Sequence, residues 1–444
     1  MTTLSGWRRG VRLAVALAWT AVFAALFAIV FRASLGWAVE ALGAPDVVTM
    51  MQRAPWWQRI ALPVAGGLAV GFLMIAMARL REGAGVGFVM EAIVLGRARL
   101  PLARSALQAL GAWLAIAAGN SLGREGPLIQ AGAAAGEASR RVLSLDDGSA
   151  RLVLAAGVAA GFAAAYNAPI AAVLFVVEIV TGVLVLEAVV PVMIAVVIST
   201  VIVRGALGGT PLYGLREFAV THGWELLAYA GLGIIAAPVG VMFLRGLGRV
   251  DRWWRHVPVP WRPACGAAVC GLILVAVPEV AGNGFEPLSA LLDGRFAIGF
   301  VAWLLVAKAV ASASCVGSGN PGGVFTPTLL LGGCTGTLYA ALLHATFGDA
   351  VGPYGSYALV GLAAALAATT HAPLMATVLA CELSGDWALV VPLVLACACA
   401  AGIARRLYID SVYTAELTRR GLRWRLTLDG RRVIQDQQRV VDVV

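Results

Sequence analysis

Long apolar stretches alternate with short charged ones from one end of the chain to the other. Uncharged windows run over Leu13–Val30, Ile60–Ala78, Ser105–Gly123, Leu152–Val177, Leu226–Leu244 and Val351–Cys381. A nineteen-residue helix rises about 28 Å, close to the hydrocarbon thickness of a bilayer. Shorter or interrupted apolar runs lie between, at Gly126–Gly136, Ala188–Val203, Pro263–Pro278, Phe296–Ala307 and Ala309–Gly348. Strand-like alternation is missing, and Ala, Leu and Val dominate. The pattern predicts an all-α polytopic membrane protein rather than a transmembrane barrel. The first window follows Arg8, Arg9 and Arg12 and is too long for a signal-peptide core. It reads as a retained first span with the N-terminus inside.

Several of these runs are broken at places that would fall inside a membrane. Asn167-Ala168-Pro169 interrupts one, and the segment from Gly317 to Pro327 (GSGNPGGVFTP) interrupts another. Non-helical backbone is tolerated at that depth only where protein or a water-filled cavity surrounds it, so such breaks point to a transport site. The chain also matches itself. Residues 157–179 and 361–383 share nine identities at an offset of 204, among them Ala168-Pro169 on Ala372-Pro373 and Glu178 on Glu382. Upstream, Gly123 to Pro127 falls on Gly323 to Pro327 at an offset of 200, and Gly132 and Gly136 fall on Gly332 and Gly336. Two ordered matches at nearly one offset divide the chain into repeats over 11–208 and 225–403, with the Gly-rich stretch Arg204–Glu225 as the seam. Residues 404–444 are left as a C-terminal helix and short tail, too few for an added regulatory domain.

Composition narrows the class further. With 60% hydrophobic and only 13% charged residues, neither a soluble globular fold nor a disordered chain fits. The net charge of +9 comes almost wholly from arginine, Lys308 being the sole lysine. Arginines flanking apolar spans follow the positive-inside rule, so lipid rather than nucleic acid is the partner. The nine arginines from Arg405 onward place the tail in the cytoplasm by the same rule. Seven cysteines form no CxxC pair and four histidines are scattered, so no disulfide framework, metal site or cofactor is read. A membrane-embedded enzyme would need a nucleophile or metal cluster, and neither His344 nor His371 has such neighbours in sequence.

The candidate chemistry lies in the glycine-rich breaks. Gly123-Arg124-Glu125-Gly126-Pro127 sets two charges between apolar windows. Either the two pair at an interfacial loop, or Glu125 faces a polar cavity at a helix start, where backbone amides bind a carboxylate or an anion. A glutamate there can compete with a diffusing anion for one positive nest. The loop ending in Gly323-Val324-Phe325-Thr326-Pro327 has the same design without the acid. A third glycine cluster, Gly83-Ala84-Gly85-Val86-Gly87, has close helix packing as its plainer explanation.

The motifs at 123–127 and 323–327, with Val412-Tyr413-Thr414-Ala415, resemble the CLC chloride channel and chloride/proton antiporter family. The likeness extends through Asn167 to Glu178 and Gly282 to Phe285. It implies two inverted-topology repeats of tilted and broken helices, a homodimer in the bacterial inner membrane with both termini cytoplasmic, and one path per subunit for chloride or another small monovalent anion. By matching motifs, Glu125 is the external gate and proton acceptor, and Val324 and Phe325 lend amides to the central anion site. Tyr413 closes that site from inside, and Ala84, Gly85, Arg124 and Gly126 belong to the anion-binding set. Fluoride-exporting members depart at the tyrosine, which is kept here.

Two positions depart from the family pattern. Ala84 stands where the family has an anion-contacting serine, which puts chloride-over-nitrate preference in question. Ile179 stands at the antiporters' internal proton glutamate, with Glu178 one residue early. Glu178 is then either a displaced inner proton relay or a polar residue of the inner vestibule; its match to Glu382 favours a capping role, and its neighbourhood in the family's vestibule favours proton entry. Chloride/proton exchange gated by Glu125 is the leading expectation, and a passive anion channel is the alternative.

Overall fold

The computed structural model describes residues 2–80, 85–95, 99–182, 186–218, 220, 222–419, 422–427 and 430–435. The first half runs α1 (Thr2–Glu40), α2 (Val47–Arg53), α3 (Trp56–Ala78), α4 (Val86–Leu95), α5 (Leu102–Ala117), α6 (Glu125–Leu143), α7 (Asp147–Tyr166), α8 (Pro169–Leu174) and α9 (Leu186–Leu207). A π-helical turn, Phe175–Thr181, continues α8. The second half runs α10 (Glu225–Trp254), α11 (Arg262–Ala276), α12 (Phe285–Leu292), α13 (Ile298–Gly317), α14 (Phe325–Phe347), α15 (Tyr354–Thr370), α16 (Pro373–Ser384) and α17 (Val390–Leu407). The tail holds α18 (Thr414–Arg419) and a small antiparallel hairpin, β1 (Leu422–Thr427) with β2 (Gly430–Gln435), which the sequence pattern did not foresee. Among the described residues, eight helices are long and apolar enough to cross a membrane.

The uncharged windows were not all single helices. Leu152–Val177 is split between α7 and α8, because Asn167 sits in the left-handed region at φ 54° and Pro169 starts a new helix. Val351–Cys381 is split in the same way, with His371 at φ 60° and Pro373 opening α16. Proline is suited to the first helical turn, and a left-handed residue ends the helix before it. The window Ser105–Gly123 holds the 16-residue α5, closed at Gly119 with φ 91°, just as α13 is closed by Gly319 with φ 96°.

The repeat correspondence carries through the packing. α1 lies on α7 and α9 as α10 lies on α15 and α17. α6 runs along α7, and α14 along α15. A methyl group on Gly132 would run into the carbonyl of Gly157, and one on Gly332 into the carbonyl of Gly361. Small residues at these crossings let the helix backbones touch, the usual means of packing helices where lipid supplies no hydrophobic drive. α7 and α15 are buried on nearly every side, which is why both read as unbroken apolar runs with no polar face. Apolar side chains exposed on the outer helix faces include Phe72, Val201, Leu227, Met242 and Trp303.

Elements at corresponding places in the two halves meet in space. α3 packs against α11, and α8 against α16. Asn120 Nδ2 donates to the carbonyl of Pro63 at 3.1 Å, and Asn320 Nδ2 to that of Pro263 at 2.9 Å. At the centre, Gly123 and Gly323 exchange two backbone hydrogen bonds of 2.8 Å, forming an isolated antiparallel bridge between the two broken loops.

Candidate functional site

The bridge brings the N-termini of α6 and α14 face to face. Glu125 is the first residue of α6, and Phe325, its partner in the repeat, is the first of α14. A helix leaves its first amides without intrahelical acceptors, and the aligned peptide dipoles make that end positive. The Glu125 carboxylate fills this vacancy across the repeat boundary. Oε1 accepts the Phe325 amide at 2.9 Å, and Oε2 accepts the Thr326 hydroxyl at 3.0 Å. Glu125 is 2% exposed, so these donors stand in for lost water, without which burying a carboxylate is costly. A Cβ on Gly123 or Gly323 would collide with the carboxylate, so both glycines are required by where the acid sits.

No ion pair joins Arg124 to Glu125 among the described residues. Of the two sequence readings of this loop, the paired charges at an interface give way to the acid at a helix start.

From the face bearing the tail, a cavity of about 1020 Å³ reaches Glu125. Gly126, Val324 and Tyr413 line it together with Gly85, whereas Arg124 does not. The Tyr413 ring meets Phe175 edge-on at 5.7 Å. The Gly85 amide is engaged by Gln130 Oε1 at 3.0 Å, and Gln130 Nε2 donates to Ser105 Oγ. Ala84 lies outside the described residues. The cavity is also lined by Arg245, Arg249 and Arg252 from the last turns of α10 and by Arg255 just beyond it, interspersed with Asp251, Asp410 and Glu416.

Glu178 points elsewhere. Its carboxylate accepts the amides of Leu374 at 3.2 Å and Met375 at 2.7 Å, at the start of α16. Glu382 returns the arrangement, accepting the amides of Ile170 at 2.9 Å and Ala171 at 2.8 Å at the start of α8. Each half thus caps the broken helix of the other. Ile179 is buried.

Four functional neighbours escaped the sequence reading. Thr326 touches Glu125 directly, and the Tyr166 hydroxyl lies 3.0 Å from the Thr326 hydroxyl. Both were inside motifs singled out for their glycines and prolines, which drew notice away from the hydroxyls. Lys308 is fully buried, donating to the carbonyls of Val280 at 2.9 Å and Gly282 at 3.0 Å. Gly282 in turn accepts the Leu122 amide, so Lys308 steadies the strand leading into Glu125. Its being the only lysine in an arginine-rich chain was the available signal. Glu416 lines the cavity, its carboxylate reaching the space beside Gly85 and Gly87. One acid in the six-residue α18 gave no cue.

The voltage gated chloride channel family matches the chain over residues 66–405. A putative chloride channel protein described as ClcB-like, from Ralstonia nicotianae, is 37% identical over 379 residues, covering 84% of this chain and 88% of that one. A voltage-gated ClC-type chloride channel, ClcB, from Escherichia coli is 32% identical over 365 residues, covering 80% and 86%. Among solved structures, a slow cyanobacterial Cl⁻/H⁺ antiporter superposes with a TM-score of 0.82 at 24% identity, covering 92% of this chain and 98% of that one. A CLC-type fluoride/proton antiporter gives 0.74 at 22%, covering 93% and 98%. At these identities the two structures speak for the fold alone.

Proposed function

We propose that this chain, which belongs to the voltage gated chloride channel (CLC) family, carries chloride across a bacterial inner membrane in exchange for protons, with Glu125 as gate and proton acceptor. It is a transport protein and not an enzyme. The observation that carries the reading is the Glu125 carboxylate on the Phe325 amide, at the convergence of two helix N-termini and at the head of a large polar cavity. That position suits a monovalent anion as well as it suits the carboxylate. When the carboxylate is protonated it gives up its charge and its claim on the amide, and an anion takes its place. Carboxylate and anion then alternate at one site, which ties anion passage to proton uptake.

The cytoplasmic mouth is assigned to the tail side from the arginines of α10 and of the tail, and both termini are placed there. A homodimer is proposed from the family likeness, and cross-linking in the membrane tests it. Passive anion conduction is the second reading. What favours it is the Glu178 carboxylate, whose oxygens are engaged by the start of α16, beside a buried isoleucine.

Purified protein in liposomes, with chloride efflux and proton uptake recorded together, decides between the two. Uphill proton uptake driven by a chloride gradient supports exchange. Chloride flux without it makes the protein a channel. No chloride flux at all overturns the transport reading.

A further inference from the structure

The carboxylate of Glu125 is itself an anion, tethered at the site, and the groups that hold it show what an untethered anion would meet. They are the Phe325 amide and the Thr326 hydroxyl. We propose that Thr326 is a direct ligand of the transported anion, oriented by the Tyr166 hydroxyl. The proposal rests on the reading of Glu125 as the gate of an anion path.

The helix itself provides the contrast. α14 contains five threonines. Thr328, Thr335, Thr337 and Thr346 all turn their hydroxyls back to a carbonyl one turn earlier in their own helix. Thr326 is the second residue of the helix, with no carbonyl of its own helix one turn earlier, and its hydroxyl goes to Glu125. Back-bonding takes up the hydroxyl of a threonine farther along a helix, and the first turn leaves that of Thr326 to an acceptor outside it.

Tyr166 explains how that choice is held. A threonine hydroxyl has one hydrogen to donate and lone pairs to accept with. An ionised carboxylate only accepts, so the Thr326 hydrogen goes to Glu125. The Tyr166 hydroxyl, 3.0 Å from the same oxygen, then donates its own hydrogen to Thr326. The tyrosine ring is fixed by Phe162 at 4.9 Å and Phe325 at 5.2 Å, and all three rings are buried. When the carboxylate leaves and an anion arrives, neither hydroxyl needs to reorient, because the newcomer is also an acceptor. The Gly85 amide, just before α4, is already engaged by Gln130 Oε1.

The test uses the full chain with its gate removed, E125A, and measures chloride binding by calorimetry. Against that background T326V, which keeps the shape and loses the hydroxyl, is expected to weaken chloride binding about tenfold, or about 1.4 kcal/mol. T326S keeps the hydroxyl and is expected to stay within about twofold to threefold. Y166F keeps the ring and is expected to weaken binding about threefold where Thr326 is present and to have no effect alongside T326V. That non-additivity is the signature of one hydroxyl acting through another. Equal losses in T326S and T326V, unchanged binding in T326V, or full additivity of Y166F with T326V would each overturn the proposal. If T326V does not fold, Y166F alone decides, and unchanged binding rejects the orienting role and the proposal with it. Chloride binding absent from the E125A protein itself would remove the reading of the anion path and this proposal together.

Discussion

The two halves of the molecule treat their acids differently. At the ends of α8 and α16 the repeat is symmetric. Glu178 and Glu382 occupy matching positions, and each accepts two amides from the other half's broken helix. At the central loops the repeat is asymmetric. Position 125 carries a glutamate, position 325 a phenylalanine, and the phenylalanine's amide binds the glutamate. A symmetric pair of carboxylates satisfies every helix end it meets and leaves nothing to exchange. A single carboxylate on the two-fold seam faces amides that a second anion can claim. On the proposed function, symmetry serves the fold and its breakage serves transport.

The sharpest way to break the contrast is to remove the asymmetric acid. In liposomes, E125A and E125Q are expected to lose proton uptake and pH dependence entirely while anion flux continues. Flux that keeps its pH dependence in either variant would take the gate away from Glu125.

Next in size is the test of the symmetric scaffold. Gly132→Ala and Gly332→Ala place a methyl against the carbonyls of Gly157 and Gly361. Overpacking of this kind costs about 1–3 kcal/mol. Both variants are expected to melt earlier, and by similar amounts. A large drop in one with none in the other would show that the halves do not share their load.

Glu178→Gln tests whether the symmetric acids are spectators of proton flow. It is expected to slow proton uptake by less than tenfold, under about 1.4 kcal/mol, and to leave anion flux nearly intact. Glu382→Gln is its internal control, since the two lose the same kind of cap. Abolished proton uptake in Glu178→Gln alone, with normal chloride flux, would make Glu178 the inner relay after all.

The smallest effect is expected from Ala84→Ser, which restores the hydroxyl that the family pattern carries at this position. Hydrogen bonds to charged groups contribute about 1.5–3 kcal/mol, and a part of that is expected to raise chloride preference over nitrate severalfold. Unchanged relative permeabilities, measured by reversal potential or by competing efflux, would place Ala84 off the path.

Much of this arrangement could be read from residues in order. The breaks at Asn167, Gly317–Pro327 and Gly123–Pro127 were visible because glycine, asparagine and proline act on their own backbone. The break after Thr370 carried a weaker mark, since histidine is a less common left-handed residue. Glu125 stood out as a charge in an apolar setting. Thr326 and Tyr166 did not, because a hydroxyl among alanines and aromatics looks the same whether it bonds its own helix or a neighbour's acid.

The sequence by itself determined the class, the internal match between the halves, several of the places where helices stop and the acid that stands out between apolar windows. These follow from side-chain hydropathy and from local backbone limits, which act over a few residues and are written in residue types. The tertiary structure alone decided what each acid binds. The acceptors of helix-end amides lie some 200 residues away in the other half, and a backbone amide is the same in every residue but proline. Its role as a donor is set by where the chain has ended a helix and what has been folded against that end.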